Sequence, residues 1–253
     1  MNNLDILNRY QVVVLKTPYN LFEDKESQDF FMKMCQLKIK GYLKEYQAGM
    51  LPFDSSDFVA NHIVLCSKTN EGLAPIMGFK SVSLSTCDFY RINFPMLGML
   101  KSPDDTSKYT AYFENLIQSA RLNGTADTLA YNGSFTVHPT LRGDEFFHKR
   151  LWDFGFYLFA SHYMEEKINK VVAVCSTKFK VDKKKLEHGW SYVSIEGNNI
   201  DAFRCTSLHE TSFVPMELNN VKLVCQSDKS LFPGLWENRL VLSLETINTR
   251  KVA

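Results

Sequence analysis

The sequence has no C-x-x-C pair, no apolar run approaching membrane-spanning length, no internal repeat, no low-complexity tract and almost no net charge. Each absence removes a class of function. Its six cysteines (35, 66, 87, 175, 205 and 225) are scattered, most of them inside apolar runs such as HIVLCS and VVAVCS. They read as buried, reduced thiols rather than as a disulfide framework or a thiolate metal site. The 29 basic and 28 acidic side chains leave a formal charge of +1, too weak a field to draw the chain to nucleic acid or to an anionic membrane. The opening residues MNNLDILNRY have neither a basic n-region nor an apolar h-region, so a cytoplasmic protein with no membrane span is expected. The six histidines have no metal spacing with Asp, Glu or Cys, and no metal is expected. What is present in quantity is apolar and aromatic side chain, 45% and 13% of the chain, enough for a sizeable core across 253 residues.

Along the chain, YQVVVLKTP (10–18) is a β-branched run stopped by Pro18 and predicts a first strand. From Ser27, placed as a cap, Phe30, Phe31, Met34, Leu37 and Tyr42 form a helical stripe whose far end Gly41 weakens. Residues 61–85 read as a hairpin around KTNEG. A helix follows, capped by Ser102, with Pro103 in its first turn, Asp104 and Asp105 at its positive end and Gly124 as its stop. Residues 90–125 are therefore an ordered helical insertion. A strand at 128–137, a long helix from about 144 to 166 and a strand at 170–176 make a β-loop-α-β unit, compatible with two parallel strands joined by a crossover helix. The remainder predicts a short basic helix, strands at SYVSI and DAFRC, and strand-like runs at VKLVCQ and NRLVLSLE, a β-rich extension over 206–253.

The stretch GSFTVHPTLRGDEFFHKRLWDFGFYLF (133–159) carries the functional signal. A strand ending at Val137, a Pro-containing loop, Arg142-Gly143 and a helix start together make a ready anion site: helix N-termini expose unpaired N–H groups, and an arginine adds a charge-assisted bond. The plainer alternative is that Gly143 only turns the chain and Arg142 faces solvent. Asp144 and Glu145 stand where the anion would go, and would neutralise the helix end themselves.

This order of elements resembles the GNAT superfamily of N-acyltransferases. Val137, Pro139, Arg142-Gly143 and Leu151 match its strand, loop and helix, and His188-Gly189-Trp190 stands where the family has Leu-Gly-Phe. The likeness covers roughly residues 58–205. It implies a mixed α/β fold in which strands four and five splay apart, within a single domain spanning 1–253. Both small positions of the family's phosphate loop are filled here, by Glu145 and Phe147, which weakens the grip on a pyrophosphate. Phe94-Pro95-Met96-Leu97 also resembles a short element of the autoinducer synthases and N-acyl amino acid synthases, although Tyr131 and Ser134 replace the Glu and Arg those enzymes carry on the fourth strand.

The resemblance implies transfer of an acyl group from a pantetheine thioester, on CoA or an acyl-carrier protein, to a small-molecule amine, with no tightly bound cofactor. The implied donor-binding residues are Phe135, Thr136 and Val137 through their main chain, Arg142, Gly143, Asp144, Glu145, Phe146 and Phe147 at the helix start, then Thr177 and Lys185. Lys185 occupies the place of the family's acid tyrosine, and Tyr192 just beyond is a substitute for it. Tyr131 and His138 are the candidate bases, each with a bland alternative, core packing for one and a surface loop for the other. Cys175 as a nucleophile competes with a buried structural thiol, which its apolar context favours. The basic run KFKVDKKK is a solvated face, or a dock for an acidic carrier protein or a nucleotide 3′-phosphate. A degenerate member that binds a ligand or partner without catalysis is the alternative, and an oligomer built through the tail or insertion stays open.

Overall fold

The computed structural model describes residues 3–46, 52–102, 104–143, 145–199, 201–205, 211–224 and 232–252. In chain order the elements are α1 Asn3–Arg9, β1 Tyr10–Lys16, α2 Lys25–Glu45, β2 Asn61–Thr69, β3 Gly72–Ser83, α3 Leu84–Phe89, α4 Pro95–Met99, α5 Ser107–Leu122, β4 Leu129–Val137, α6 Glu145–Glu165, β5 Lys170–Ser176, α7 Val181–Glu187, β6 Ser191–Tyr192, β7 Ser194–Ile195, β8 Asn198–Asn199, β9 Phe203–Arg204, β10 Ser212–Asn219, α8 Val221–Val224, β11 Leu240–Leu242 and α9 Leu244–Val252. One mixed sheet runs β11-β1-β2-β3-β4-β5-β10-β6, with β9 on β10, and β7 and β8 form a separate ribbon. The pairs β1–β11 and β4–β5 are parallel, and the other pairs in the sheet antiparallel.

Helices cover both faces of the sheet, as a β-loop-α-β crossover demands. The strongly apolar α6 lies on one face, where Phe154, Phe156, Tyr157, Phe159 and Tyr163 pack against Val12, Ile63, Phe79, Ala130 and Ala173. Across the sheet, α4 and α5 bury Met96, Phe113 and Ile117 against Leu129, Tyr131 and Val172. The α2 stripe of Phe30, Phe31, Met34 and Leu37 covers Val13, Leu15 and Val64. None of the described helices is long and apolar enough to cross a membrane.

Several expected boundaries move, each for a local reason. Asp24 rather than Ser27 caps α2, its carboxylate accepting from the Ser27 amide at 2.9 Å while Ser27 itself is buried in the first turn. Gly41 does not end that helix. Its missing side chain lets α2 lie against β4, where an added Cβ would come within 2.6 Å of Thr136 Cγ2. The insertion helix α5 starts at Ser107, because Ser102 bonds the Arg204 carbonyl and Asp104 pairs with the Arg204 guanidinium instead of capping; Pro103 lies outside the described residues.

The tail is not an appendage. β10, missed in the sequence, docks beside β5 with seven register pairs from Phe213↔Ser176 to Asn219↔Lys170, and β11 extends the opposite edge. Val221–Val224 is a helical turn rather than a strand. VKLVCQ is apolar enough for either state, and the β position it would have filled is already taken by β10.

Candidate active site

The parallel pairing of β4 and β5 covers only Leu129↔Lys170, Ala130↔Val171, Tyr131↔Val172 and Asn132↔Ala173. Beyond Asn132 the two strands part. Part of the cause is in β4: between Gly78↔Thr136 and Lys80↔Gly133 it carries one residue more than β3, a bulge whose Ser134 takes a left-handed φ of 57°. Such a bulge bends its strand and increases local twist, turning the end of β4 away from β5.

The parted strands enclose a cleft of about 350 Å³, mostly apolar, whose walls come from elements on both faces of the sheet. From the α6 side come Leu151, Trp152 and Phe159, and from the α2 side Gly41, Tyr42, Glu45 and Tyr46. Phe135 on β4 stacks on Trp152 with ring centroids 5.4 Å apart and planes 14° apart, contributing about 1 kcal/mol beyond area burial and fixing that wall. Where Phe135 crosses α6, Gly155 gives it room, since an added Cβ would lie 3.3 Å from the ring. The polar lining is under-used: Asn132 Nδ2, Thr136 Oγ1 and Ser176 Oγ are buried without a hydrogen-bond partner. An unmet donor or acceptor costs roughly 1–3 kcal/mol, so three around one cleft are what a polar ligand threaded between the strands would satisfy.

Lys185 reaches the closed end of the cleft from α7. Its ammonium donates to Asn132 Oδ1 at 3.2 Å and lies 3.5 Å from the centroid of the Trp190 ring, with the Cys175 thiol among its electrostatic neighbours. Burial lowers its pKa from the ordinary lysine value, with Cys175 partly opposing, and burial raises that of Cys175. No carboxylate forms an ion pair with Lys185 among the described residues.

The other expected residues divide. Phe135, Thr136 and Val137 line the cleft together, as does Arg142. Arg142 is already committed, forming an ion pair with Glu45 and donating to the carbonyls of Gly41 at 3.2 Å and Val137 at 3.3 Å. Gly143 ends the 3-10 turn Pro139–Gly143, and Glu145 begins α6. Asp144 lies outside the described residues, as do the side chains of Glu145 and Phe146. Phe147 points into the core and stacks on Phe154, away from the cleft. Thr177 spends its hydroxyl and its amide on the Ser212 carbonyl, both at 3.1 Å.

Among the candidate acids and bases, Tyr131 is buried beside Gly133, where an added Cβ would meet its hydroxyl at 3.0 Å. Burial drives its pKa well above the ordinary phenol value, which suits a donor and not a base. His138 faces a different surface groove and bonds Thr140 Oγ1 at 2.8 Å. Tyr192 donates to Asp182 Oδ2 at 2.8 Å and accepts from Lys183 at 3.0 Å, outside the cleft lining.

Sequence reasoning missed a second polar centre. Asp57, fully buried, forms ion pairs with Lys38 and, at 3.0 Å, with Lys80; Lys80 also binds both carboxylate oxygens of Asp54 at 2.9 Å, and His62 meets the Asp57 carbonyl at 2.6 Å. Although burial opposes ionisation of Asp57, Lys80 and Lys38 hold its carboxyl well below the usual range. The available signal was a lone lysine in the apolar run IMGFKSVS, which only a buried carboxylate could balance.

No family model matches this sequence, and no curated protein does. Among solved structures it is similar to the acyl-homoserine lactone synthase LasI, with a TM-score of 0.52 and 10% identity over 86% of this chain and 94% of that one. The fold is of GNAT type. A further similar structure is FeeM, an N-acyl amino acid synthase from uncultured soil microbes, at a TM-score of 0.49 and 14% identity over 88% of this chain and 97% of that one. The mixed sheet with parted fourth and fifth strands that the resemblance implies is present in the strand pairing.

Proposed function

We propose that this chain is an N-acyltransferase that moves an acyl group from a pantetheine thioester to a small amine, in a single domain spanning 1–253 and in the cytoplasm. The observation that carries this reading is the cleft where β4 leaves β5. A pantetheine arm is a narrow chain of amides ending in a thioester. It fits a slot whose walls offer free strand backbone and the unpartnered polar groups of Asn132, Thr136 and Ser176. The bulged backbone at Ser134–Phe135 supplies amide donors that no β5 residue occupies, suited to a thioester carbonyl as it gains negative charge. The acyl chain then lies on the apolar wall of Phe135, Trp152 and Phe159.

The commitment of Arg142 to Glu45 leaves less for a pyrophosphate, which suits a donor held through its pantetheine arm, whether on CoA or on an acyl-carrier protein. The same pair also favours a second reading, a cleft that binds a thioester without turning it over. Thiol release separates the two. Purified protein is mixed with acyl-CoA or acyl-carrier protein and a panel of amino acids and other primary amines; amine-dependent release with either donor is expected. Donor binding by calorimetry with no release from any pair would replace the enzyme by the binding protein, and absence of both binding and release would end the thioester reading.

A further inference from the structure

We infer that the far end of the sheet carries a second binding site, built for a small hydroxylated ammonium compound and separate from the thioester cleft. Where β3 ends and β2 and β4 begin, Asn61, Ser81, Thr86, Asp127, His162 and Glu166 wall a cavity of about 270 Å³ that shares no residue with the cleft. Its surface is mainly polar, the reverse of the cleft. Two of these side chains lie in the interior without a partner. His162 is 1% exposed and Ser81 4%, and neither side chain makes a hydrogen bond among the described residues. Unmet buried polar groups are unfavourable, and both stand where a ligand in this cavity would satisfy them. Burial, with Lys16 nearby, keeps the His162 ring neutral, so it offers one nitrogen to donate and one to accept.

The charge around the cavity selects a cation. Asp127, exposed at the rim, makes no ion pair among the described residues, and Glu166 faces a single cation, Lys16, at 2.8 Å. The last turn of α6, which holds His162, also ends here, and a helix C-terminus carries negative partial charge. Hydroxyl groups on the ligand follow from the wall. His162, Ser81 and the Asn61 carboxamide present donors and acceptors side by side, and a hydroxyl serves both. Val59 and Ile168 are the only apolar residues of the lining, so neither a fatty chain nor an aromatic ring finds a surface. A volume equal to about nine waters in the liquid suits an amino polyol no longer than a hexose chain. Ser81 is also the β3 partner of Asn132 on β4, which places the site one strand from the closed end of the cleft. The inference does not depend on acyl transfer there.

Glucamine, sorbitol and gluconate share one polyol skeleton and differ in charge, so they test the site directly. Each is titrated by calorimetry into the full chain and into Asp127→Asn and Ser81→Ala, and the thermal midpoint of every variant is recorded. Glucamine is expected to bind about tenfold tighter than sorbitol, and gluconate not to bind. Asp127→Asn should weaken glucamine by about tenfold and leave sorbitol unchanged; Ser81→Ala should weaken both. Asp127 is exposed, so its variant reads the site even where Ser81→Ala fails to fold. Glucamine binding that Asp127→Asn does not weaken would put the amine elsewhere, the thioester cleft included, and overturn the proposal. Equal affinity for sorbitol and glucamine would overturn the cationic class. Binding of none of the three would leave the cavity to water and overturn the site. None of these results bears on acyl transfer, which thiol release decides separately.

Discussion

Two buried lysine centres lie against opposite faces of the same strands, and they are built on opposite terms. Toward α2, Lys38 and Lys80 share Asp57, with Asp54 completing the network; the Asp54 carboxylate also accepts from the Ser56 amide, and the Asp54 amide donates to the Asp57 carboxylate. Toward α6, Lys185 has an amide oxygen, a thiol and an indole ring, and polar atoms around it stay unpaired. A saturated network has no capacity left for a ligand and holds the β2–β3 hairpin to α2. The unsaturated one is costly to the folded chain and leaves hydrogen-bonding capacity beside the cleft. Buried charge alone therefore does not mark an active site; unmet hydrogen-bonding capacity beside a cavity does.

The largest expected effect would break this comparison on its structural side. Asp57→Ala strands the buried Lys38 ammonium and leaves Lys80 with Asp54 alone, and is expected to cost about 3–5 kcal/mol, read as a fall in the urea midpoint. A loss below about 1 kcal/mol would mean that the network is not the structural centre described. Next comes pH. Burial lowers the pKa of His62 to about 4 and that of His162 to about 3, so both are neutral in the folded state over a range where the unfolded chain protonates them. Their contribution is complete above the unfolded value of about 6.5. It drains away as pH falls from there through the folded values. A thermal midpoint that drops steadily between pH 6.5 and 4 is expected, and His62→Gln should flatten part of that slope by on the order of 2–3 kcal/mol; an unchanged slope would contradict the burial argument.

Gly41→Ala tests the contact that lets α2 border the cleft. Overpacking against Thr136 should cost about 1–3 kcal/mol and weaken donor binding as β4 shifts, whereas a neutral variant would show that the contact yields easily. The smallest loss of stability belongs to the cleft itself. Ser176→Ala removes a buried unpartnered hydroxyl, so stability should hold or rise, by up to about 1–3 kcal/mol, while the donor KM rises several-fold. A variant that loses stability and keeps its KM would move Ser176 from the ligand side of the comparison to the structural side.

Much of the core of the fold was legible from local pattern. The β1 run, the β2–β3 hairpin and the β4-α6-β5 unit appear within a few residues of where alternation, turn residues and aromatic density put them. The strand SFVPMELN escaped because a proline within it argued against a central position, yet Pro215 pairs with Val174 in the interior of the sheet. Of the cleft lining, Phe135–Val137 was expected from the resemblance and Arg142 from a strand ending at a turn. Asn132, Ser176 and the partnership of Lys185 with Cys175 were not. They meet only because β4 and β5 diverge and α7 folds back over the gap.

The order of apolar runs, caps and turns fixes which segments become strands and which become helices, because those choices depend on neighbours a few residues apart. Where the strands part, which lysine is neutralised and which polar groups are left facing a cavity are long-range outcomes, set by a one-residue bulge in β4, by a glycine that brings α2 close, and by β10 arriving from the tail to complete the far side of β5. No local preference encodes those distances; packing decides them.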